Sequence, residues 1–247
     1  MADWYEEAFR ADYLRVYPHR DDAAAAAEVA AWRGALPGIG PGKRVLDLAC
    51  GAGRHLRAME AAGIRAVGAD LSADLLAEAR RRGRGRDRVV RCDMRRLPFR
   101  AGAFEGVTCF FTSFGYFATP EEDAAALREA GRVLAAGGSL LLDLADPISA
   151  VRDLVPVSER LGGGILLVER RRASPDGRRI EKEVTLHEGV RERRWTESVR
   201  LYPPEEIEAM AGAAGLRPAG RFAGHGGGPW RAGESPRCVL LLRKAAA

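Results

Sequence analysis

The order of apolar and polar positions changes character along the chain. Trp4, Phe9, Tyr13 and Tyr17 recur at helical spacings, Pro18 interrupts, and a second helix is expected over 22–32, ending before Gly34. A breaker-rich stretch at 36–43 separates these helices from a regular alternation. Short apolar runs at 45–50, 66–70, 89–93, 106–111 and 139–144 read as buried strands, with helices over 53–62, 73–82 and 120–134 between them. Strands alternating with helices imply right-handed crossovers and a mostly parallel sheet covered on both faces.

That alternation stops after Pro147. Residues 165–172, 178–187 and 191–202 are polar at every second position, and Pro175-Asp-Gly177 and Glu188-Gly189 mark turns between them. Three antiparallel strands are therefore expected, with one face solvated or covering a wet cleft. A helix over 204–214 and strands near 216–222 and 238–244 lead the chain back to the main sheet. The fold class is a doubly wound α/β sheet of seven mostly parallel strands with antiparallel strands inserted into a single domain.

Composition narrows the function. With 47% hydrophobic and 30% charged residues, a wholly disordered chain is excluded. No apolar run reaches the roughly 18 to 20 residues of a membrane-spanning helix, so no membrane partner is expected. The start, Met1-Ala-Asp-Trp-Tyr-Glu-Glu, is acidic and aromatic, unlike a targeting peptide, and a cytoplasmic protein is expected. The net charge of +5 comes almost entirely from arginines interleaved with acids. Without a basic tail, a nucleic-acid partner is not expected. Cys50, Cys92, Cys109 and Cys238 are far apart, as are the four histidines, and no pair has metal-ligand spacing. No metal site is expected.

The chemistry concentrates at turns. In Val45-Leu-Asp-Leu-Ala-Cys-Gly-Ala-Gly-Arg-His55 an acid sits inside a strand, and Gly51 and Gly53 make the turn at its carboxyl end, where a ligand approaches the backbone. Asp70 closes the next strand, 17 residues beyond Gly53, where a carboxylate can accept both hydroxyls of a ribose. Asp93 closes the third strand, placed to meet an adenine amino group. Three acids at successive strand ends point into the crevice where open α/β sheets bind ligands. A nicotinamide-binding turn would carry a third glycine where Leu56 stands.

This ordered set, with Leu46-Asp-Leu-Ala-Cys-Gly-Ala-Gly-Arg54, Asp70-Leu-Ser72, Asp93-Met-Arg-Arg-Leu-Pro98 and Arg132-Val-Leu-Ala-Ala-Gly-Gly138, resembles the class I S-adenosylmethionine-dependent methyltransferases over residues 45–144. Ala136 stands where family members often have proline. The resemblance implies a Rossmann-like fold and S-adenosylmethionine as cofactor. It implies that Asp47, Ala49 and the Gly51–Gly53 turn hold the methionine part. Asp70 would then bind ribose, Leu71 pack on adenine, Asp93 and Met94 contact the adenine edge, and Phe110 and Phe111 border the sulfonium. It also implies a plan of one domain over 1–247: a helical N-terminal lid at 1–40, a cofactor-binding core at 41–147, an inserted β-lid at 148–202 and a return to the core sheet at 203–247. Tyr13, Tyr17 and Arg20 match lid residues that close over the cofactor, Arg20 toward the methionine carboxylate; an amphipathic helix packed on the sheet explains them equally.

Methyl transfer is an in-line displacement in which alignment and desolvation supply most of the barrier reduction, so a catalytic dyad is not required. Phe110-Phe-Thr-Ser-Phe-Gly-Tyr-Phe117 lacks the Asn/Asp-Pro-Pro-aromatic motif of nucleic-acid base methyltransferases and resembles small-molecule or peptide methyltransferases. Ser113 and Tyr116 are the polar candidates for the acceptor pocket, Tyr116 also as a catalytic residue; packing of the loop is the alternative for both. The inserted strands resemble the β-lid of glycine and amino-sugar N-methyltransferases, with Trp195 and Glu197 as acceptor-facing candidates; an exposed sheet face explains Glu197 equally, and the strands could also make a homodimer surface. In the glycine-rich stretch Gly224-His-Gly-Gly-Gly-Pro-Trp-Arg231, His225 is the candidate base and Trp230, with Arg237 further on, a candidate acceptor contact. A solvated loop histidine and two loop anchors explain the same residues. Asp143 and Asp146 end the fifth strand near the same crevice, where one of them could orient an amine or cap the following turn, and Asp146 is expected to cap the turn. The resulting expectation is methyl transfer to N or O of a small molecule. The rivals are an RNA or protein methyltransferase and a non-catalytic cofactor-binding regulator.

Overall fold

The computed structural model describes residues 3–17, 21–33, 38–83 and 88–246. Two short helices, α1 (Trp4–Ala8) and α2 (Tyr13–Val16), precede α3 (Asp22–Trp32), whose first turn is capped by Asp21 accepting from Ala24 N–H at 2.8 Å. The single helix expected from Trp4 to Tyr17 is thus split. Phe9 leaves helical geometry at φ −91°, ψ 51°, and its carbonyl accepts from the Ser72 hydroxyl instead.

The core follows as β1 (Arg44–Leu48), α4 (Arg54–Ala61), β2 (Arg65–Asp70), α5 (Ala73–Arg82), β3 (Val89–Arg91), β4 (Phe104–Cys109), α6 (Pro120–Val133) and β5 (Leu134–Ala145). A short helix, α7 (Pro147–Arg152), leads to β6 (Val157–Gly162), β7 (Ile165–Ala173), β8 (Arg179–Glu188) and β9 (Arg191–Arg200). Then α8 (Pro204–Ala213), β10 (Leu216–Phe222) and β11 (Arg237–Lys244) complete the described chain. Among the described residues, no helix is long and apolar enough to cross a membrane.

The main sheet has the order β10-β11-β5-β4-β1-β2-β3, parallel except where β11 pairs antiparallel with β5 and β10. The order reverses at β1, between β4 and β2, and a switch point of this kind opens a crevice at the carboxyl ends of the strands. Leu46, Leu140, Leu141 and Leu142 are fully buried between the helical layers. Parallel strands covered on both faces have no solvated side, which is why these runs are continuously apolar rather than alternating.

The inserted strands form a separate sheet, β6-β7-β8-β9, antiparallel throughout. The three expected strands are there, and the fourth, β6, is an exposed edge strand whose sequence Val-Ser-Glu-Arg-Leu-Gly carries little apolar signal. The inner face of this sheet does not rest on the core. Ala8, Val16 and Tyr17 of the N-terminal segment pack there against Leu167, Val184, Leu186 and Trp195. Asp12, buried, receives the guanidinium of Arg193 at 2.8 Å, and Arg160 donates to the Val16 carbonyl.

Candidate active site

The carboxyl ends of β1, β2 and β3 open onto a cavity of 430 Å³. The turn after β1 runs through three consecutive odd-numbered residues in the left-handed region: Ala49 at φ 55°, Gly51 at 53° and Gly53 at 73°. Gly53 then starts α4. Asp70, at the end of β2, ties this turn to the next one. Its Oδ2 accepts from Gly51 N–H and its Oδ1 from Ser72 N–H, both at 2.8 Å. Burial pushes the Asp70 carboxyl up, against the backbone N–H groups that favour its charged form. Asp93 lies past β3. Burial alone would raise its pKa, but the Arg95 side chain, with its Nη2 at 2.6 Å, and the Arg95 N–H hold it low. Leu71 and Met94 line the cavity between these two acids, as do Ala49 and Gly51.

Asp47 lies beneath the turn, buried in β1. Its Oδ1 accepts from the Thr108 hydroxyl at 2.9 Å, and its Oδ2 has no hydrogen-bond partner. Desolvation raises its pKa to about 7, opposed by Thr108 and by the charge of Arg54.

The roof comes from the N-terminal helices. Tyr5, Glu6, Phe9, Arg10 and Tyr13 line the cavity, with Ser113, Tyr116 and Phe117 opposite. Phe9 stacks on Tyr116 with ring centres 5.6 Å apart, and Trp4 Nε1 donates to the Tyr116 carbonyl at 3.1 Å. Ala11 N–H donates to Asp74 at 3.2 Å, closing the rim over α5.

Other expected residues fall elsewhere, for identifiable reasons. Tyr17 does not line the cavity; it is buried against the second sheet, where its hydroxyl meets Glu197 at 3.0 Å and receives a hydrogen bond from Lys182. Trp195 is buried in the same cluster, and Glu197 pairs with Lys182 at 2.6 Å, so neither faces the cavity. Phe110 stacks flat on His55 at 3.9 Å, because β4 ends at Cys109 and the chain turns under α4. Phe111 sits between the Arg54 and Arg237 guanidiniums, 5.3 and 5.1 Å from its centre. Trp230 anchors its loop through Asp146 at 3.0 Å, and Asp146 also caps α7. Arg237 is bound by Asp143 at 2.5 Å. Arg20 lies outside the described residues.

The reading of His225 as a titratable base gives way on geometry. Its Nδ1 accepts from Trp32 Nε1 at 2.7 Å, and its Nε2 faces Asp143 Oδ2 at 3.2 Å. Indole only donates, so Nδ1 carries the lone pair and Nε2 the proton. A proton added to Nδ1 would abolish the Trp32 bond.

Sequence reasoning missed the group next to Asp47. Arg54 and His55 open α4 and reach Glu28 of α3 at 3.4 and 2.5 Å, and Arg54 Nη2 is buried without a hydrogen bond. Burial drives the His55 pKa down to about 4 despite Glu28. A charged residue directly after a ligand-binding glycine turn was the available signal.

Comparison with known proteins gives the family of the chain. A family model described as a methyltransferase domain matches residues 45–138. The chain is 30% identical over 207 residues to a cypemycin N-terminal methyltransferase from a Streptomyces species, covering 82% of this chain and 84% of that one. It is 33% identical over 180 residues to the dTDP-3-amino-3,6-dideoxy-alpha-D-glucopyranose N,N-dimethyltransferase of Streptomyces fradiae, covering 70% and 69%. Among solved structures it resembles S-adenosylmethionine-bound CalS10, an amino pentose methyltransferase from Micromonospora echinaspora, with TM-score 0.66, 26% identity, and 94% and 96% coverage.

Proposed function

We propose, from the premise that this chain belongs to the class I S-adenosylmethionine-dependent methyltransferases, that it methylates an amine nitrogen of a small-molecule acceptor. S-adenosylmethionine is its cofactor and supplies, when bound, an electrophilic methyl group on a cationic sulfur. The residues present fit that molecule. An orphaned buried carboxylate oxygen on Asp47, beneath the turn rather than on the cavity wall, suits an ammonium, and Arg54 Nη2, which makes no hydrogen bond but lies 3.4 Å from Glu28, would have to turn from that pair to meet a carboxylate. On this reading the two would receive the two ends of the methionine part. Asp70 would hold the ribose hydroxyls, Leu71 and Met94 would sandwich the adenine, and Asp93 would accept from its amino group. Ala49 and Gly51 let the ligand approach the backbone, with Gly53 completing the turn.

Ser113 and Tyr116 would orient the acceptor under the roof formed by Phe9 and Tyr13. The observation that carries the nitrogen assignment is the state of His225. Both its ring nitrogens are engaged, and His55 is tied to Glu28. A neutral amine attacks through a lone pair it already has, whereas a hydroxyl must lose its proton to a base as it attacks. Relatives acting on an amino sugar and a peptide N-terminus support the same choice. The four unpaired cysteines support a reducing compartment such as the cytoplasm.

The test is transfer from methyl-labelled cofactor to four probes: dTDP-3-amino-3,6-dideoxy-glucopyranose, a short peptide with a free N-terminus, a demethylated quinol and bulk RNA, alongside a metabolite extract. Label on nitrogen of a small molecule is expected. Label confined to oxygen, carbon or RNA would overturn the proposal.

A further inference from the structure

Phe111 and Thr112 are consecutive non-glycine residues with φ of 61° and 58°. For a β-branched threonine this left-handed geometry is an outlier, and such strain persists only where the surroundings over-determine it. Here the surroundings converge on one side chain. Asp143, fully buried at the end of β5, accepts from Phe111 N–H at 2.8 Å through Oδ2, and its own carbonyl accepts from Thr112 N–H at 2.7 Å. Arg237 donates through Nε to Asp143 Oδ1 at 2.5 Å and through Nη2 to the Thr112 hydroxyl at 3.0 Å. His225 fills the remaining position on Oδ2.

We propose that Asp143, braced by Arg237 and His225, is a positioning residue for methyl transfer: it holds the Phe111–Thr112 turn in its strained form so that Ser113 and Tyr116 present the acceptor to the cofactor cavity. The proposal rests on the reading of that cavity as the methyl-transfer site. Asp143 acts at a distance from the reacting atoms. Its charge is fixed against a desolvation that would raise its pKa by the His225 hydrogen bond and the Arg237 charge, which hold it low. Phe110 is committed to His55 of α4, whereas Ser113 lines the cavity, and the left-handed pair is the stretch of chain between them. A pair of glycines would adopt the same backbone without support but would not hold it when the acceptor departs.

Asp143→Asn turns one acceptor into a donor facing donors, and Arg237→Gln, at a half-buried site, removes the brace if the first variant does not fold. Three readouts separate the possibilities. Amide hydrogen exchange over 111–117 should accelerate at least about tenfold in either variant. Affinity for S-adenosylhomocysteine, measured by calorimetry, should stay within about threefold, while kcat for the amino-sugar nucleotide falls at least about tenfold with little change in cofactor KM. In a Phe111→Gly/Thr112→Gly background, where neither positive φ carries strain, Asp143→Asn should lower kcat by less than about threefold relative to that background. Unchanged exchange, equal losses in kcat and cofactor affinity, or a full loss in the glycine background would each overturn the proposal. If the wild-type protein methylates none of the probes, the functional reading fails, and exchange with the product affinity still decides the role of Asp143.

Discussion

A buried carboxylate poised near neutrality makes cofactor binding depend on pH in a direction that can be worked out. Burial outweighs the Thr108 bond and the charge of Arg54 and lifts the Asp47 pKa to about 7, so in the free protein the neutral form predominates below that pH. An ammonium placed against its free Oδ2 favours the ionised form, so below pH 7 binding must expel a proton, and affinity rises with pH. If the complex keeps Asp47 ionised throughout, the change from pH 5.5 to 7.5 is about 25-fold, or about 1.9 kcal/mol. The sign for stability is opposite. A folded-state pKa above the unfolded one means that the free protein loses stability as pH climbs from the ordinary carboxylate range to about 7, and bound ligand restores it. Calorimetry with S-adenosylhomocysteine, in two buffers of different ionisation heat, measures both the affinity and the proton released. Asp47→Asn should flatten the profile. A wild-type affinity that is level or declines over this interval would refute the placement of the ammonium.

Three further outcomes are expected. Asp70→Ala should weaken S-adenosylhomocysteine binding by at least about 1 kcal/mol, through lost charge-assisted bonds to ribose and a loosened Gly51; an unchanged dissociation constant would exclude the assignment. His225→Gln should leave the limbs of the pH–rate profile where they are and lower kcat/KM less than about tenfold, whereas loss of a general base costs about 10²–10⁴-fold. Gly115 has φ 90°, and a Cβ there would lie 2.6 Å from the Arg200 carbonyl. Gly115→Ala should therefore cost about 2 kcal/mol or more in denaturant unfolding, by backbone strain plus the clash; a shift within about 0.5 kcal/mol would show that the loop can move aside.

The strand-end acids were legible because their positions follow from local pattern: a short apolar run, a glycine turn, and an acid where the run stops. Asp70 and Asp93 needed nothing from distant sequence. The antiparallel character of β7, β8 and β9 was legible for the same reason, through two short turns. What could not be read depends on contacts between segments far apart in the chain. Tyr17 has a cofactor-lid spacing, yet its hydroxyl is buried among Glu169, Glu197 and Lys182, more than 150 residues away. His225 looks solvated in a glycine-rich stretch until Trp32 and Asp143 occupy both ring nitrogens. Edge strand β6 was invisible because its exposed side chains need not be apolar. The Arg54–His55 pair is not legible in the sequence, because a helix start of Arg-His does not reveal that both point at Glu28.

The roof over the cavity is fastened on two sides by different means. Toward the core it is held by Phe9 on Tyr116, Trp4 on the Tyr116 carbonyl, and the Phe9 carbonyl on Ser72. Toward the inserted strands it is held by a continuous apolar seam and the Asp12–Arg193 pair. The core side thus rests on ring contacts and single hydrogen bonds, the Ala11–Asp74 bond among them, whereas the strand side is a packed seam that makes roof and inserted strands one body. Tyr116 both holds this roof and lines the cavity, so if it bounds the acceptor as proposed, a substitution there also alters the contacts that keep the roof in place. On that proposal, a single aromatic residue couples the choice of acceptor to the retention of the donor.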